Sequence, residues 1–175
     1  MIDLDDPRWK SLRGPHGAPH DPRPALAKIR RDGASSEAWY ELMNELQDQN
    51  AIGDAAYAAI VVLVDIAMSG RDLGPYFFGL AATIEVERHR KTNPPLPGWL
   101  EREYRTAWKH LAELAIQTLR EPPDAGTFLV AMAVVALERR QLRLGSLILD
   151  LDQSELEDVL EEYRGWKGLY RERED

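Results

Sequence analysis

One segment constrains the fold more than any other: residues 54–69 are apolar almost all the way round a helix. Between Asp54 and Ser69 the only charged residue is Asp65. A helix without a polar face belongs at the centre of a helical fold, covered by neighbours on several sides. The segment is also too short to span a bilayer, which takes about 20 residues. We therefore predict a central helix here, although its run Ile60-Val61-Val62 alone is typical of a strand.

Proline, glycine and capping residues divide the rest of the chain into further helix-length segments. Asp21, Asp54 and Asp124 are predicted helix caps, and Gly33 is a predicted helix end. The segment 142–151 is short and surrounds a glycine, which predicts a turn or a stub of helix. The remaining helices are predicted at 22–31, from Ser35 or Ser36 to the break at Ala51, at 74–91, 97–120 and 125–140, and after the capping box Ser154–Glu157.

These segments predict an all-α fold of six to seven helices in antiparallel pairs. Helices 54–69 and 125–140 are the apolar, inner ones, and each follows or pairs with an amphipathic helix. That alternation favours a HEAT-like α-α superhelix, with an irregular helical bundle as the alternative. We expect residues 1–20 to form an irregular leader packed on the body, and residues 21–175 to form a single helical domain.

Three stretches of the chain resemble a group of bacterial HEAT-like helical proteins. They are Trp39–Leu46, Ile52–Ile60 and Tyr76–Glu85, and their shared motifs are packing signatures. Those relatives often carry a histidine in the helix that matches residues 54–69, where this chain has Val62 and Leu63. The resemblance implies a stack of helices and a surface for binding, without an established activity.

Charge and composition narrow the classes of partner and compartment. The net charge is −8, and residues 150–175 hold ten acidic side chains against four basic ones. Such a chain lacks the clustered positive charge that nucleic acids and anionic membranes attract, so we expect neither as a partner. The chain has no cysteine, which excludes disulfides and thiolate metal sites. The acidic start has no apolar run, so we expect no secretory signal and a cytoplasmic location.

Two pairs of residues are candidates for a metal site, although we expect no cofactor. His110 and Glu113 lie three apart on the predicted helix 97–120, and Glu85 and His89 lie four apart on the helix before it. Carboxylates and imidazoles from facing helices are the donors of metal sites in helical bundles. The alternative is that these residues form ordinary ion pairs on the helix surface.

A second set of residues predicts a groove for a ligand or partner. Asp65 is a carboxylate within the most apolar helix, and Glu85 follows an apolar run. Tyr76, Trp99 and Trp108 are aromatic side chains that would line the same groove. The alternatives are that Asp65 is exposed or paired with a nearby arginine, and that the aromatic side chains are core residues.

Together these features favour a non-enzymatic helical scaffold that binds another protein, of an immunity-type or regulatory kind. The partner would dock in the groove or on the acidic end of the chain, where a basic partner is the complementary choice. The alternative is an enzyme or metal-binding protein with a carboxylate and histidine cluster between the fourth and fifth helices. Association with a second copy of the chain stays open in both hypotheses.

Overall fold

A computed structural model describes residues 2–35, 37–121 and 124–150 of the chain. In these ranges the chain is mostly helical, which confirms the all-α prediction. The described residues contain one β-sheet, a two-stranded antiparallel hairpin in which Gln47 lies opposite Ile52. The elements are α1 Arg23–Asp32, α2 Ala38–Leu46, β1 Gln47–Asp48, β2 Ala51–Ile52, α3 Asp54–Met68, α4 Gly74–Glu87, α5 Glu101–Thr118, α6 Ala125–Glu138 and α7 Leu142–Asp150.

Helix α3 is the centre of the fold, as its composition predicts. Every side chain from Ala55 to Val64 is buried, and so is Ile66. Asp65 is exposed, which is how the helix carries a carboxylate without the cost of burying it. Helix α3 packs against α1, α4 and α5, so the apolar surface all round it is matched by neighbours on several sides.

Helix α6 differs from the prediction of a fully buried inner helix. It packs against α4, α5 and α7, and Ala131, Val134 and Leu137 are buried. Phe128 and Met132, however, are 43% and 37% exposed. The three neighbouring helices cover one side of α6 and leave its other side open to solvent in the described structure. An apolar sequence therefore did not mean an enclosed helix here.

The order in which helices pack also differs in part from the predicted pairs. The predicted pairs include α4 with α5, and helix 125–140 with the helix after Ser154, which lies outside the described residues. In the structure α3 packs mainly on α5, α4 packs mainly on α6, and α6 also packs on α7. The connector between α4 and α5 spans residues 88–100 and holds three prolines. A connection of that length carries the chain past its nearest neighbour, so consecutive helices need not be adjacent in space.

Several helix ends lie away from their predicted positions. Helix α4 ends at Glu87, and α5 begins at Glu101 because residues 97–100 form a turn in which the Leu100 N–H donates to the Pro97 carbonyl. Of the two alternatives predicted for residues 142–150, the helix is the one observed, as α7 of nine residues. The predicted capping box at Ser154 and the helix after it lie outside the described residues, as does Ser36.

The three aspartates proposed as caps behave differently. Asp124 caps α6, since its carboxylate accepts from the Thr127 N–H. The Asp21 carboxylate accepts from the backbone of Arg23 at the start of α1. Asp54 does not cap its own helix, because Gly53 occupies the cap position and the Asp54 carboxylate instead accepts from the Arg13 N–H at 2.5 Å.

Residues 2–20 lie against the helices and are held there by buried side chains and long-range hydrogen bonds. Ile2, Trp9 and Leu12 are buried. The Ile2 N–H donates to the Glu103 carboxylate at 2.6 Å, and the Ala55 N–H at the start of α3 donates to the Arg13 carbonyl at 3.0 Å. The leader thus has contacts with α3 and α5. The division of the chain into a leader, residues 1–20, and a single helical domain, residues 21–175, stays a prediction.

Candidate functional site

The five residues of the predicted groove do not lie in one place. Glu85 and Trp108 line the same cavity. Asp65, on α3, lines a different and smaller cavity of about 110 Å³, together with His110 on the opposite side of α5. Tyr76 packs against Trp39, and Trp99 lies under the guanidinium of Arg8, 4.3 Å from its ring centre. Of these five residues the structure therefore brings together only Glu85 and Trp108.

The site that these two residues share is a cavity of about 570 Å³ where the ends of α4 and α6 and the start of α7 meet the side of α5, which we call the α4–α7 cavity. Its volume falls within the range of cavities that hold small molecules. The end of α4, the middle of α5, the end of α6 and the start of α7 form its walls. The lining residues are Glu85, Arg88, His89, Leu96, Tyr104, Arg105, Trp108, Lys109, Leu137, Glu138, Arg140 and Leu142.

A hydrogen-bonded cluster around the buried carboxylate of Glu85 forms one wall of the cavity. Arg88 donates to both carboxylate oxygens, at 2.8 and 2.5 Å, and the Tyr104 hydroxyl donates to one of them at 2.9 Å. His89 Nε2 lies 3.6 Å from the same carboxylate. A buried carboxylate is stable when it is paired and hydrogen-bonded in this way. The cluster therefore links α4 to α5 through three hydrogen bonds to the Glu85 carboxylate.

The surroundings shift the pKa values of the groups in this cluster. Burial raises the pKa of Tyr104 well above its usual range, and the Glu85 carboxylate raises it further, whereas Trp108 and Arg88 act in the opposite sense. Burial raises the pKa of Tyr57, which packs edge-on against Tyr104, to about 12. The bond to Glu85 raises the pKa of Arg88. All three groups therefore keep their protons at neutral pH.

Trp108 contributes an aromatic wall and an indole N–H that is buried. Among the described residues that N–H has no acceptor in hydrogen-bond geometry, although the ring lies close enough to Tyr104 to influence the pKa of Tyr104. The ring centres of Trp108 and Tyr104 are 6.3 Å apart. With Leu96, Leu137 and Leu142, these rings form an apolar wall beside the charged groups of the cavity.

The rim of the cavity is cationic in a chain whose net charge is −8. Arg88 is paired with Glu85, and Arg105 is paired with Glu101 at 2.5 Å. Within the ranges that the structure covers, no carboxylate pairs with Lys109 or Arg140, and both are exposed. Two cations at the mouth are thus without a counter-charge from the described residues.

Arg140 also has a backbone conformation that is unusual for its residue type. It follows the end of α6 with φ of 60°, and the N–H groups of Arg140 and Gln141 donate to the carbonyls of Leu137 and Ala136. This is the Schellman arrangement, in which the left-handed position is usually glycine because a Cβ is disfavoured there. The chain therefore places an arginine at the rim at a cost to its backbone.

The predicted metal set is not assembled. Glu85 and His89 line the α4–α7 cavity, His110 faces the α3 side of α5, and Glu113 is exposed. The described residues contain no group of three or more histidine, aspartate or glutamate side chains placed to hold one metal ion. Arg88 is the main partner of Glu85, so this carboxylate forms the ion pair with a nearby arginine that is the alternative to a role in metal binding.

A feature that sequence analysis missed is a set of exposed apolar side chains on the last two described helices. Phe128 and Met132 lie one turn apart on α6, and Leu144 and Leu147, 49% and 53% exposed, lie about one turn apart on α7. We call these four residues the α6–α7 apolar surface. Their spacing is visible in the sequence, but it is equally typical of buried helices.

Comparison with known proteins adds no family to this description: no family model, no curated protein and no solved structure matches the chain. Across residues 2–35, 37–121 and 124–150, no helix is both long enough and apolar enough to cross a membrane.

Proposed function

We propose that this chain is a non-enzymatic helical scaffold that binds another protein through the α6–α7 apolar surface. The observation that carries the proposal is the exposure of Phe128, Met132, Leu144 and Leu147 on two helices that pack together. Large apolar side chains that share an exposed face mark interaction sites, whereas single ones are ordinary. Helices with such a face are a common means of binding an amphipathic segment of a partner.

The shape and charge of the neighbouring surface support a particular kind of partner. Leu147 and Arg143 line an open cavity of about 470 Å³ along α4 and α7, which shares His89 and Leu142 with the α4–α7 cavity. Arg143 is exposed and has no carboxylate partner among the described residues. The complementary partner is an amphipathic segment with acidic side chains beside its apolar ones.

This charge is opposite to the one that the acidic end of the chain suggests. The sequence alone favours a basic partner for the acidic residues 150–175, all but the first of which lie outside the described residues. The described surface offers apolar anchors beside arginine, and apolar anchors dominate the energy of most interfaces. We therefore propose that the partner's apolar residues supply most of the binding energy and that its acidic residues orient it towards the arginine.

The test compares the intact chain with two variants that each add one carboxylate. Leu147→Glu places a charge on the α6–α7 apolar surface, and Tyr40→Glu places one on α2, where Tyr40 is 79% exposed. A partner captured from the source cells is purified, and the affinity of the binary complex is measured. We expect Leu147→Glu to weaken binding by about tenfold or more, the loss that truncating an interface anchor causes, and Tyr40→Glu to leave it unchanged.

Two results would overturn the proposal. One is a complex in which Leu147→Glu binds as tightly as the original chain. The other is a chain that captures no partner and forms a dimer that Leu147→Glu dissociates, which sedimentation velocity measures directly. In that case the α6–α7 apolar surface is the contact between two copies of the chain.

A further inference from the structure

We infer that the α4–α7 cavity is a binding site for a small organic anion, with Lys109 and Arg140 as its cationic ligands. The ligand class is a carboxylate or phosphate attached to a compact apolar body. This site is separate from the proposed protein-binding surface, because its cations and its aromatic wall lie on α5 and at the end of α6. The inference goes beyond the proposed function and does not depend on it.

The charges of the lining residues point to an anion. The acidic groups are already engaged, since Glu85 is bound by Arg88 and Glu138 lies 3.3 Å from Arg139. Arg105 is engaged with Glu101. Lys109 and Arg140 are therefore the cations of the rim that remain unpaired among the described residues, and clefts lined by one sign of charge concentrate ions of the opposite sign.

The interior of the cavity points to an apolar body on the ligand. Tyr104 and Trp108 form one wall, and Leu96, Leu137 and Leu142 complete it. The Glu85 carboxylate beside that wall is hydrogen-bonded to Arg88 and to the Tyr104 hydroxyl. Aromatic and aliphatic side chains beside convergent polar groups are a usual lining of a small-molecule site.

The backbone of Arg140 is an independent observation in favour of a ligand. Its left-handed conformation closes a Schellman motif at which glycine is favoured. A non-glycine residue held in that conformation costs stability, and such residues cluster at functional sites. The Arg140 side chain lines the rim of the α4–α7 cavity. Replacing Arg140 with glycine would therefore relieve the backbone and remove the ligand's counter-charge at once.

The experiment titrates the full chain with small probes by calorimetry. The probes are benzoate, phenyl phosphate and benzamide, the last being the neutral isostere of benzoate. We expect at least one anion to bind saturably with one site per chain, and benzamide to bind about tenfold more weakly or not at all. Benzoate and phenyl phosphate distinguish a carboxylate ligand from a phosphate ligand.

The variants assign the binding to this cavity. We expect Arg140→Gly to weaken anion binding about tenfold, the loss that a charge-assisted hydrogen bond represents, while its melting temperature is unchanged or higher. Arg140→Lys, which keeps the charge, should retain most of the affinity. Arg30→Gln removes an exposed cation from α1 and should bind as the original chain does. The inference is wrong if neither anion saturates, if benzamide binds as well as benzoate, or if Arg140→Gly keeps full affinity.

Discussion

Gly53 is the residue at which a single added methyl group tests how the leader is held on the helical body. A Cβ built on Gly53 would lie 2.0 Å from the Arg13 carbonyl oxygen and 2.3 and 2.4 Å from the carbonyl oxygen and carbon of Gly14. All three are backbone atoms, so no side chain can rotate to make room. The backbone of Gly53 itself, with φ of −107°, suits any residue. The substitution Gly53→Ala therefore acts only by displacing residues 13 and 14.

The structure gives the size of the effect. Moving Arg13 away breaks the bond from the Ala55 N–H to its carbonyl and the bond from its own N–H to Asp54. At about 1 kcal/mol each, these two hydrogen bonds amount to about 2 kcal/mol of unfolding free energy. If the displacement also uncovers Trp9 and Leu12, each adds about 1.5–3 kcal/mol. We expect Gly53→Ala to lose about 2 kcal/mol at least.

The assay is urea unfolding followed by tryptophan fluorescence, together with native-state trypsin cleavage after Arg8, Lys10 and Arg13. The matched control is Gly98→Ala, whose Cβ would meet no heavy atom within 4 Å and which should change stability by less than about 0.5 kcal/mol. We expect trypsin to cleave the leader of Gly53→Ala faster than that of the control. Equal stability and equal protection in the two variants would refute the account of the leader.

Three further changes test the core, the Glu85 cluster and the buried tyrosines. Leu63→Ala, at a fully buried position on α3, should cost about 2–5 kcal/mol in urea unfolding, whereas Met68→Ala at the exposed end of α3 should cost less than about 0.5 kcal/mol. Glu85→Gln and Tyr104→Phe should be non-additive in a double-mutant cycle, with a coupling of about 0.5–3 kcal/mol, because their side chains share a hydrogen bond; additive losses would contradict that bond. The raised pKa values of Tyr57 and Tyr104 mean that the folded chain holds protons that the unfolded chain releases above about pH 10, so stability should fall as pH rises from there towards pH 12. Tyr57→Phe should make that fall shallower in thermal melts at several pH values, and an unchanged slope would argue against a shifted Tyr57.

The position of a helix in the fold was predictable where its pattern of apolar residues allowed only one arrangement. The run from Ala55 to Val64 has no polar face, and burial was the outcome. The same reasoning failed for α6. An apolar sequence indicates that a helix can be buried, but it does not determine how many neighbouring helices pack against it. Phe128 and Met132 are exposed since α4, α5 and α7 cover the other side of α6.

The candidate site was predictable only in part. Glu85 and Trp108 were singled out, but Asp65, Tyr76 and Trp99 were grouped with them although they lie elsewhere. The pairing of Glu85 with Tyr104 joins residues on different helices, and no local pattern encodes which helices meet. Arg140 was missed because a left-handed helix end is normally recognised by its glycine, and here the position holds arginine.

Hydrogen–deuterium exchange on the chain with and without its captured partner tests the proposed function most directly. The account predicts that binding slows amide exchange in α6 and α7, over residues 125–150, and leaves α1 and α2 unchanged, because the exposed anchors Phe128, Met132, Leu144 and Leu147 lie on α6 and α7. Protection confined to α1 and α2, with α6 and α7 exchanging as in the free chain, would contradict it.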